Sequence, residues 1–128
     1  MTTTDIARAK NLLLTTFRRD GTAVATPVWF VTGDDGALYA TSLEDAGKVK
    51  RIRNNERVTI APCTVKGRAT GPTIAARARL LPADESKGAV RAVDRRYFWG
   101  RVLHTVERIA HRKRFIAIVI EPVPNPHM

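Results

Sequence analysis

The sequence predicts a mainly β fold with short helices, in which antiparallel strands curl into a small barrel. Two tight turns, Asp20-Gly21 and residues 33–36, each join runs rich in β-branched and aromatic residues, as in β-hairpins. A parallel doubly wound sheet is disfavoured, because these turns between the first strands are too short for crossover helices. The last apolar run, residues 115–120, has no polar face, so it belongs at the centre of a sheet or in a barrel.

Length and composition indicate one globular domain over residues 1–128. Hydrophobic residues make up 44% and charged residues 27% of the chain, and no low-complexity tract interrupts it. The start of the chain lacks the basic and apolar regions of a signal peptide, and no apolar run approaches the ~20 residues of a membrane span. We therefore expect a cytoplasmic protein.

The chain carries a large positive charge, because 22 Lys and Arg residues outnumber 12 Asp and Glu residues. The formal net charge of +10 favours an anionic partner: nucleic acid, a membrane surface, or a phosphorylated or carboxylated small molecule. Charge alone does not choose among these three.

The sequence offers no pattern typical of a metal site or a hydrolase. Cys63 is the single cysteine, which excludes an intrachain disulfide, and a small strand residue is favoured over a reactive thiol. His104 and His111 lie two helical turns apart, about 10 Å, which is too far for one metal ion. No Ser/His/Asp, Cys/His or paired-carboxylate arrangement emerges, so we predict no metal and name no catalytic residue.

The N-terminal part of the chain predicts a helix followed by a hairpin. The helix covers Asp5–Asn11, and the strands cover Leu12–Phe17 and Thr22–Val31. Pro27 has no N–H for the ladder, so its strand must lie at an edge, contain a bulge or separate locally from its neighbour. A backbone released there is able to face a ligand, although an ordinary proline-protected edge strand explains the residue equally well.

The stretch Thr26–Pro62 organises the rest of the chain. It continues from the Pro27 strand into a strand over Ala37–Ser42, then a basic helical segment over Glu44–Asn55, and then a strand over Glu56–Thr64. The basic segment lies directly between two strands, which sets it apart from an ordinary solvated helix.

The remaining chain predicts one more strand, a helical excursion and the closing strand. Apolar residues alternate with Arg77 and Arg79 over Thr73–Leu81, so this strand has one buried face and one basic face. Residues 83–114 have helical periodicity, with Gly100 separating two short helices.

Four segments in matching order resemble one protein family. They are LLLTTFRRDGTAVATPVWFV at 12–31, ALYATS at 37–42, GKVKRIRNNERVTIAPC at 47–63 and GRATGP at 67–72. In these segments the chain is similar to the pyridoxamine 5′-phosphate oxidase-like proteins of the FMN-binding split-barrel fold, and most similar to the actinobacterial branch that uses the deazaflavin coenzyme F420. The resemblance covers Lys10–Leu81 and the final strand, but no motif aligns residues 83–114.

The resemblance implies an antiparallel split β-barrel that forms a homodimer, with two cofactor sites at the interface, each built from both chains. It also implies a role for each matching position. Pro27, Val28 and Trp29 would border the tricyclic ring, Thr41 and Ser42 would line its edge, and Lys48 and Arg51 would hold phosphate, with Lys50 as the next basic candidate and Arg68 reaching a cofactor across the dimer.

The residues themselves support a phosphate site in the basic segment. Lys48 and Arg51 are three residues apart, on one face of a helical turn, and Lys50 with Arg53 forms a neighbouring pair. A charge run of this kind is more often a solvated helix face. Here the segment follows a strand directly, where a helix N-terminus also offers free backbone N–H groups, so we favour anion binding.

The aromatic residues leave two interpretations open. Trp29 is able either to pack beside a tricyclic cofactor or to fill the core or a dimer interface. The run Tyr97-Phe98-Trp99 is able to roof a substrate pocket, although packing of the helix against the barrel is favoured.

We expect an F420-dependent oxidoreductase that transfers a hydride between F420 and a small conjugated organic substrate. An FMN-dependent reductase or oxidase of the same fold is the alternative, since F420 carries a phosphodiester and a polyglutamate tail whereas FMN carries one phosphate. A basic barrel that binds nucleic acid is less favoured, because the basic residues are dispersed without interleaved aromatics. A cofactor carrier without catalysis is a further possibility.

Overall fold

The computed structural model describes Ile6, residues 9–97 and residues 115–123. Within these residues the chain forms seven strands and two helices. They are β1 (Asn11–Phe17), β2 (Ala23–Val28), β3 (Phe30–Thr32), β4 (Leu38–Leu43), α1 (Gly47–Asn54), β5 (Arg57–Cys63), β6 (Ile74–Leu80), α2 (Ala83–Arg96) and β7 (Phe115–Pro122).

The seven strands form one antiparallel sheet in the order β2-β1-β5-β6-β7-β4-β3. The two edge strands, β2 and β3, are consecutive in the chain and separated by Trp29 alone. A single residue cannot span a flat seven-stranded sheet, so the sheet must curl until its two edges meet at Trp29. The predicted mainly β, antiparallel split barrel is confirmed.

The core lies inside the curled sheet. Strand residues of one parity point inward, as the register of β1 with β2 and β5 requires: Leu12 faces Val28 and Pro62, and Leu14 faces Thr26 and Ile60. Helix α1 contacts β1 and β6 and contributes Val49 and Ile52 to the interior. The largest fully buried side chains include Phe30, Leu12, Leu14, Leu38, Ile60, Ile118 and Ile120.

Helix α2 covers the outer face of β3, β4 and β7. Ser86, which is only 1% exposed, joins its first turn to the sheet. The Ser86 hydroxyl donates to the carbonyl oxygens of Pro82 and Leu81 at 2.9 and 3.2 Å and accepts from the Ala117 N–H at 2.8 Å. It therefore satisfies a buried backbone donor of the central strand β7.

The predicted strand Thr22–Val31 divides at Trp29 into β2 and β3, which pair with different neighbours. Pro27 lies in the edge strand β2 and pairs with Leu13 of β1, so of the three predicted alternatives the edge position is confirmed. The sequence predicted one strand fewer than the structure contains, because β2 and β3 were predicted as a single strand.

Other predicted elements hold with small changes. Arg77 and Arg79 are exposed on β6 while Ala76 and Ala78 are buried, so the predicted basic outer face is confirmed. Strand β7 lies between β6 and β4, as its double apolar face predicts. The helix predicted over Asp5–Asn11 is wrong at its end, because Asn11 begins β1.

Several predicted features lie outside the described residues. They are the second helix of the 83–114 region with Gly100, the aromatic residues Phe98 and Trp99, and the histidines His104 and His111. Neither α1 nor α2 is long and apolar enough to cross a membrane.

We predict that Ser86→Ala lowers the free energy of unfolding by about 1–3 kcal/mol, because the buried Ala117 N–H loses its acceptor. Urea unfolding followed by circular dichroism measures the change. Lys87→Ala, an exposed neighbour on the same helix, is the control and should change stability by less than about 0.5 kcal/mol. Equal stability of the two variants would contradict the assigned role of Ser86.

Candidate functional site

The seam of the barrel lies where the chain passes from β2 to β3. The Trp29 carbonyl accepts a hydrogen bond from the Thr41 N–H at 3.4 Å, so β4 approaches the chain at this crossing. Strand β2 pairs with β1 only, and its other edge has no strand partner among the described residues. Backbone groups along an edge of this kind are available to a ligand.

The Trp29 ring stacks on the Tyr97 ring at the end of α2. The ring centroids are 5.1 Å apart and the ring planes differ by 8°. Parallel aromatic rings at this separation attract each other beyond the burial of their area. Of the two interpretations of Tyr97, packing of the helix against the barrel is the one that the structure supports.

Tyr97 and the preceding Arg96 also bind the backbone on both sides of this stack. The Tyr97 hydroxyl donates to the Lys10 carbonyl at 2.6 Å and accepts from the Phe30 N–H at 3.4 Å. The Arg96 guanidinium donates to the Phe30 and Ala9 carbonyls, both at 2.7 Å, and lies 4.5 Å from the centroid of the Phe30 ring. Burial raises the pKa of Tyr97, so its hydroxyl stays protonated at neutral pH.

A pair of basic residues, Lys48 and Arg51, lies on one flank of α1. Arg51 Nε donates to Thr16 Oγ1 at 2.6 Å, which anchors the helix side chain to the interior face of β1. Lys48 is half-buried. Burial, followed by the positive charge of Arg51, lowers the pKa of Lys48 below its ordinary value.

The start of α1 lacks two features that usually stabilise a helix N-terminus, a capping side chain and an acidic residue in the first turn. Its N-cap residue is Ala46, which makes no side-chain capping bond, and its first turn contains no acidic residue. Lys48 there places a positive charge at the positive end of the helix dipole. A bound anion would relieve all three unfavourable features at once.

No described carboxylate neutralises this basic pair. The two ion pairs found in the described part of the chain are Arg77 with Glu56, at 2.8 Å, and Arg79 with Glu121, at 3.7 Å. Both lie on the outer face of the sheet, and neither includes Lys48 or Arg51. The Lys48–Arg51 pair therefore has the charge, the exposure and the backbone donors to hold a phosphate group.

The other predicted basic residues lie elsewhere. Lys50 is exposed on the opposite flank of α1, so the structure does not bring it to Lys48 and Arg51. Arg68 belongs to the β5–β6 turn, where a Cβ built on Gly67 would lie 3.6 Å from the Pro27 ring. Pro27 pairs with Leu13, three residues or about 10 Å along β1 from Thr16.

The predicted ring-binding residues face different sides of the sheet. Val28 is buried opposite Leu12 in the core, so only its backbone is able to border a ligand outside the barrel. Thr41 and Ser42 are consecutive in β4, 8% and 5% exposed, and their side chains point to opposite faces. At most one of these two side chains faces a ring lying on one side of the sheet.

Cys63 is a core residue of β5 and only 2% exposed. Burial raises the pKa of its thiol, which disfavours the reactive thiolate. The structure therefore supports the small strand residue over the reactive thiol. No metal-binding cluster of His, Cys, Asp and Glu occurs where side chains are described.

A family model described as pyridoxamine 5′-phosphate oxidase matches residues 4–124. The chain belongs to the pyridoxamine 5′-phosphate oxidase family. This match spans nearly the whole chain, so the family resemblance carried by the four sequence segments is confirmed. No curated protein sequence matches the chain.

The solved structures that are similar to this chain are described as proteins with different functions. An F420 reductase is 19% identical with a TM-score of 0.62, and the match covers 93% of this chain and 90% of that one. The heme storage protein HutZ from Vibrio cholerae is 17% identical with a TM-score of 0.68, covering 92% and 84%. A FAD-binding protein from Mesorhizobium loti is 19% identical with a TM-score of 0.57, covering 94% and 85%. Identities this low establish the split-barrel fold and leave the ligand open.

In this pyridoxamine 5′-phosphate oxidase family member, the sequence did not indicate the role of Thr16 or the partner of Tyr97. Thr16 is a polar residue at an inward position of β1, after Leu12 and Leu14, and that break in the apolar alternation was the available signal. Tyr97 gave no comparable signal for its contact with Trp29, because the two residues are far apart in the chain and the partner choice is tertiary.

Proposed function

We propose that this chain is an F420-dependent oxidoreductase that transfers a hydride between F420 and a small conjugated organic substrate. Membership of the pyridoxamine 5′-phosphate oxidase family and the F420 reductase among its structural neighbours support this class of function. A heme storage protein has the same fold, so the fold alone is not sufficient evidence for this function.

The observation that carries it is the pair formed at the uncapped start of α1 by Lys48 and the guanidinium of Arg51, which reaches back to Gly47. These two positive charges have no described carboxylate partner, and burial already lowers the pKa of Lys48. A site of this kind destabilises the protein alone and becomes favourable when an anion binds. We assign it to the phosphate of the cofactor.

The residues along the seam would hold the cofactor ring. The free edge of β2 at Pro27 and the Trp29–Tyr97 stack offer a rigid wall. Arg96 and Tyr97 fix the backbone of Phe30, so this wall is held in place before a ligand arrives. The chain binds, orients and excludes water, and when bound F420 supplies or accepts the hydride.

Charge favours F420 over FMN as the cofactor. F420 carries a phosphodiester and a polyglutamate tail, so it has several negative charges where FMN has one phosphate group. The chain has a formal charge of +10, and α1 carries Lys50 and Arg53 on the flank beyond the Lys48–Arg51 pair. Nucleic acid is less favoured as a partner, because Arg77 and Arg79 on the basic face of β6 are paired with Glu56 and Glu121.

We predict that the wild-type protein binds F420 more tightly than FMN, and that Lys48→Ala with Arg51→Ala weakens either cofactor about a hundredfold or more. Each charge-assisted hydrogen bond contributes about 1.5–3 kcal/mol, and about 1.4 kcal/mol corresponds to a tenfold change in Kd. Absorbance and fluorescence titrations measure the Kd values.

The matched control removes two exposed positive charges from α2, by Lys87→Ala with Arg91→Ala. It alters the net charge equally, so it should leave the Kd within about twofold if the contact is local. An equal loss of affinity in both double variants would mean that net charge, and not a local contact, weakens binding. Tighter binding of FMN than of F420 by the wild type would move the assignment to an FMN-dependent enzyme.

We predict that phosphate-dependent affinity falls as pH rises through the lowered pKa of Lys48, at a lower pH than an ordinary lysine would give. An anion binds the ammonium form of Lys48, so binding raises the pKa of Lys48 again. The affinity is therefore full below the pKa that Lys48 has in the free protein, and it decreases as the pH rises above that pKa. Titrations from pH 7 upward test this, with riboflavin run in parallel to correct for titration of the ring. Lys48→Arg, which does not titrate in this range, should abolish the decline; the same decline in that variant would exclude Lys48 as its source.

We also propose a homodimer with cofactor sites at its interface. In support, the outer face of β1 and β2 carries partly or fully exposed apolar side chains that no described element covers; they are Leu13, Phe17, Ala23, Ala25 and Pro27. Gly67, next to Arg68 in the chain, approaches the Pro27 ring at the rim of this face, and we propose that the exposed Arg68 meets the partner subunit there.

Sedimentation equilibrium should give a mass about twice the 14.2 kDa of one chain. Ala25→Arg, at the centre of the face, should yield monomers, because it places a charge in an apolar contact. Arg91→Ala, on α2, should leave the dimer intact. A wild-type protein that remains monomeric at micromolar concentration would contradict the proposal.

A further inference from the structure

We infer that Thr16 and Gly47 are positioning residues that hold the Arg51 guanidinium at the start of α1, ready for the phosphate. The inference rests on the proposed function, since it concerns the same anion site. Neither residue carries charge, and both act through Arg51.

Thr16 fixes one end of the guanidinium. Its side chain is 1% exposed and lies on the inward face of β1, two residues after Leu14. The hydroxyl accepts from Arg51 Nε at 2.6 Å, which satisfies a buried polar group and removes rotational freedom from a long side chain. Because Nε is occupied, the four N–H groups on Nη1 and Nη2 remain for a ligand.

Gly47 provides the space in which the other end lies. A Cβ built on Gly47 would approach Arg51 Nη1 to 2.8 Å, Cζ to 3.6 Å and Nη2 to 3.7 Å. The guanidinium therefore lies across the Cα of the first residue of α1. Glycine is disfavoured in helices, and its backbone here does not have a positive φ that would require glycine, so the close approach of Arg51 explains it.

Together the two residues give Arg51 one defined position. Thr16 holds Nε from the β1 side, and Gly47 lets Nη1 and Nη2 lie against the first turn of α1, where Lys48 follows directly. A donor set fixed before the ligand arrives loses less conformational freedom on binding. The geometry thus sets the phosphate affinity of the site rather than the affinity for the ring.

The test measures how much the phosphate contributes to binding. The cofactor used is whichever of F420 and FMN the wild type binds more tightly. Its Kd is compared with the Kd of the same ring lacking the phosphate, and we call the ratio of the two Kd values the phosphate contribution. Thermal unfolding without ligand is measured on every variant, so that folding and positioning are read separately.

Thr16→Val removes the hydroxyl and keeps the shape of the side chain. We expect the phosphate contribution to fall about tenfold, because Arg51 must then be ordered when the ligand binds, with little change in Tm. Thr16→Ser keeps the hydroxyl but loses a buried methyl group, so it should lower Tm and keep the phosphate contribution. A loss of phosphate contribution in both variants would overturn the role of the hydroxyl.

Gly47→Ala displaces the guanidinium. The clash falls on the flexible end of a side chain and alanine favours helices, so Tm should stay equal or rise while the phosphate contribution falls about tenfold. Gly88→Ala in α2, where a Cβ would meet nothing within 4 Å, is the matched control and should change Tm alone. An unchanged phosphate contribution in both Thr16→Val and Gly47→Ala would overturn the inference.

Failure of the proposed function gives a different result. If the wild type binds neither F420 nor FMN, the proposed function is wrong, and inorganic pyrophosphate becomes the probe for the anion site. Stabilisation of the wild type by pyrophosphate that is lost in Thr16→Val and Gly47→Ala would support the inference. Equal stabilisation of all three proteins, or of none, would overturn it.

Discussion

Lys48 lies in the first turn of α1, and the guanidinium of Arg51 reaches back from the last turn to Gly47, so two positive charges lie near the positive end of the helix dipole. No described side chain neutralises or caps them. Such an arrangement is costly in the free protein, because like charges repel and burial disfavours the ammonium form of Lys48. Selection of stability alone would replace one of them with a neutral or acidic residue, which is why we propose a site for an anion here.

The barrel determines where this pair is presented. Helix α1 follows β4 and precedes β5, and its Val49 and Ile52 enter the core, so only its flanks remain accessible. The hydrogen bond from Arg51 to Thr16 joins one flank to the interior of β1. Because the core fixes α1 and β1 together, the proposed anion site is as rigid as the barrel that holds it.

The crossing of the chain at Trp29 shapes the rest of the seam. β2 and β3 form opposite edges of the sheet, and the Trp29–Tyr97 stack covers the short link between them. Tyr97 and Arg96 satisfy backbone groups of Phe30 that a continuous strand would have paired with a neighbour. The end of α2 therefore supplies hydrogen bonds to Phe30 in place of those that a neighbouring strand would make.

Local patterns predicted much of this. The hairpin turns, the alternation of β6 and the common flank of Lys48 and Arg51 follow from residues close in sequence. The division of the predicted strand 22–31 was missed, because its composition reads as one strand and only tertiary pairing separates the halves. The contact of Thr16 with Arg51, 35 residues away, depends on the curl of the sheet, and so does the space that Gly47 provides.

The most direct measurement is a crystal structure of the protein with F420 or FMN bound. The phosphate oxygens should lie about 3 Å from Lys48 Nζ and from the terminal nitrogens of Arg51, with the ring beside the free edge of β2. A bound cofactor whose phosphate contacts other residues, and leaves Lys48 and Arg51 in solvent, would contradict the account.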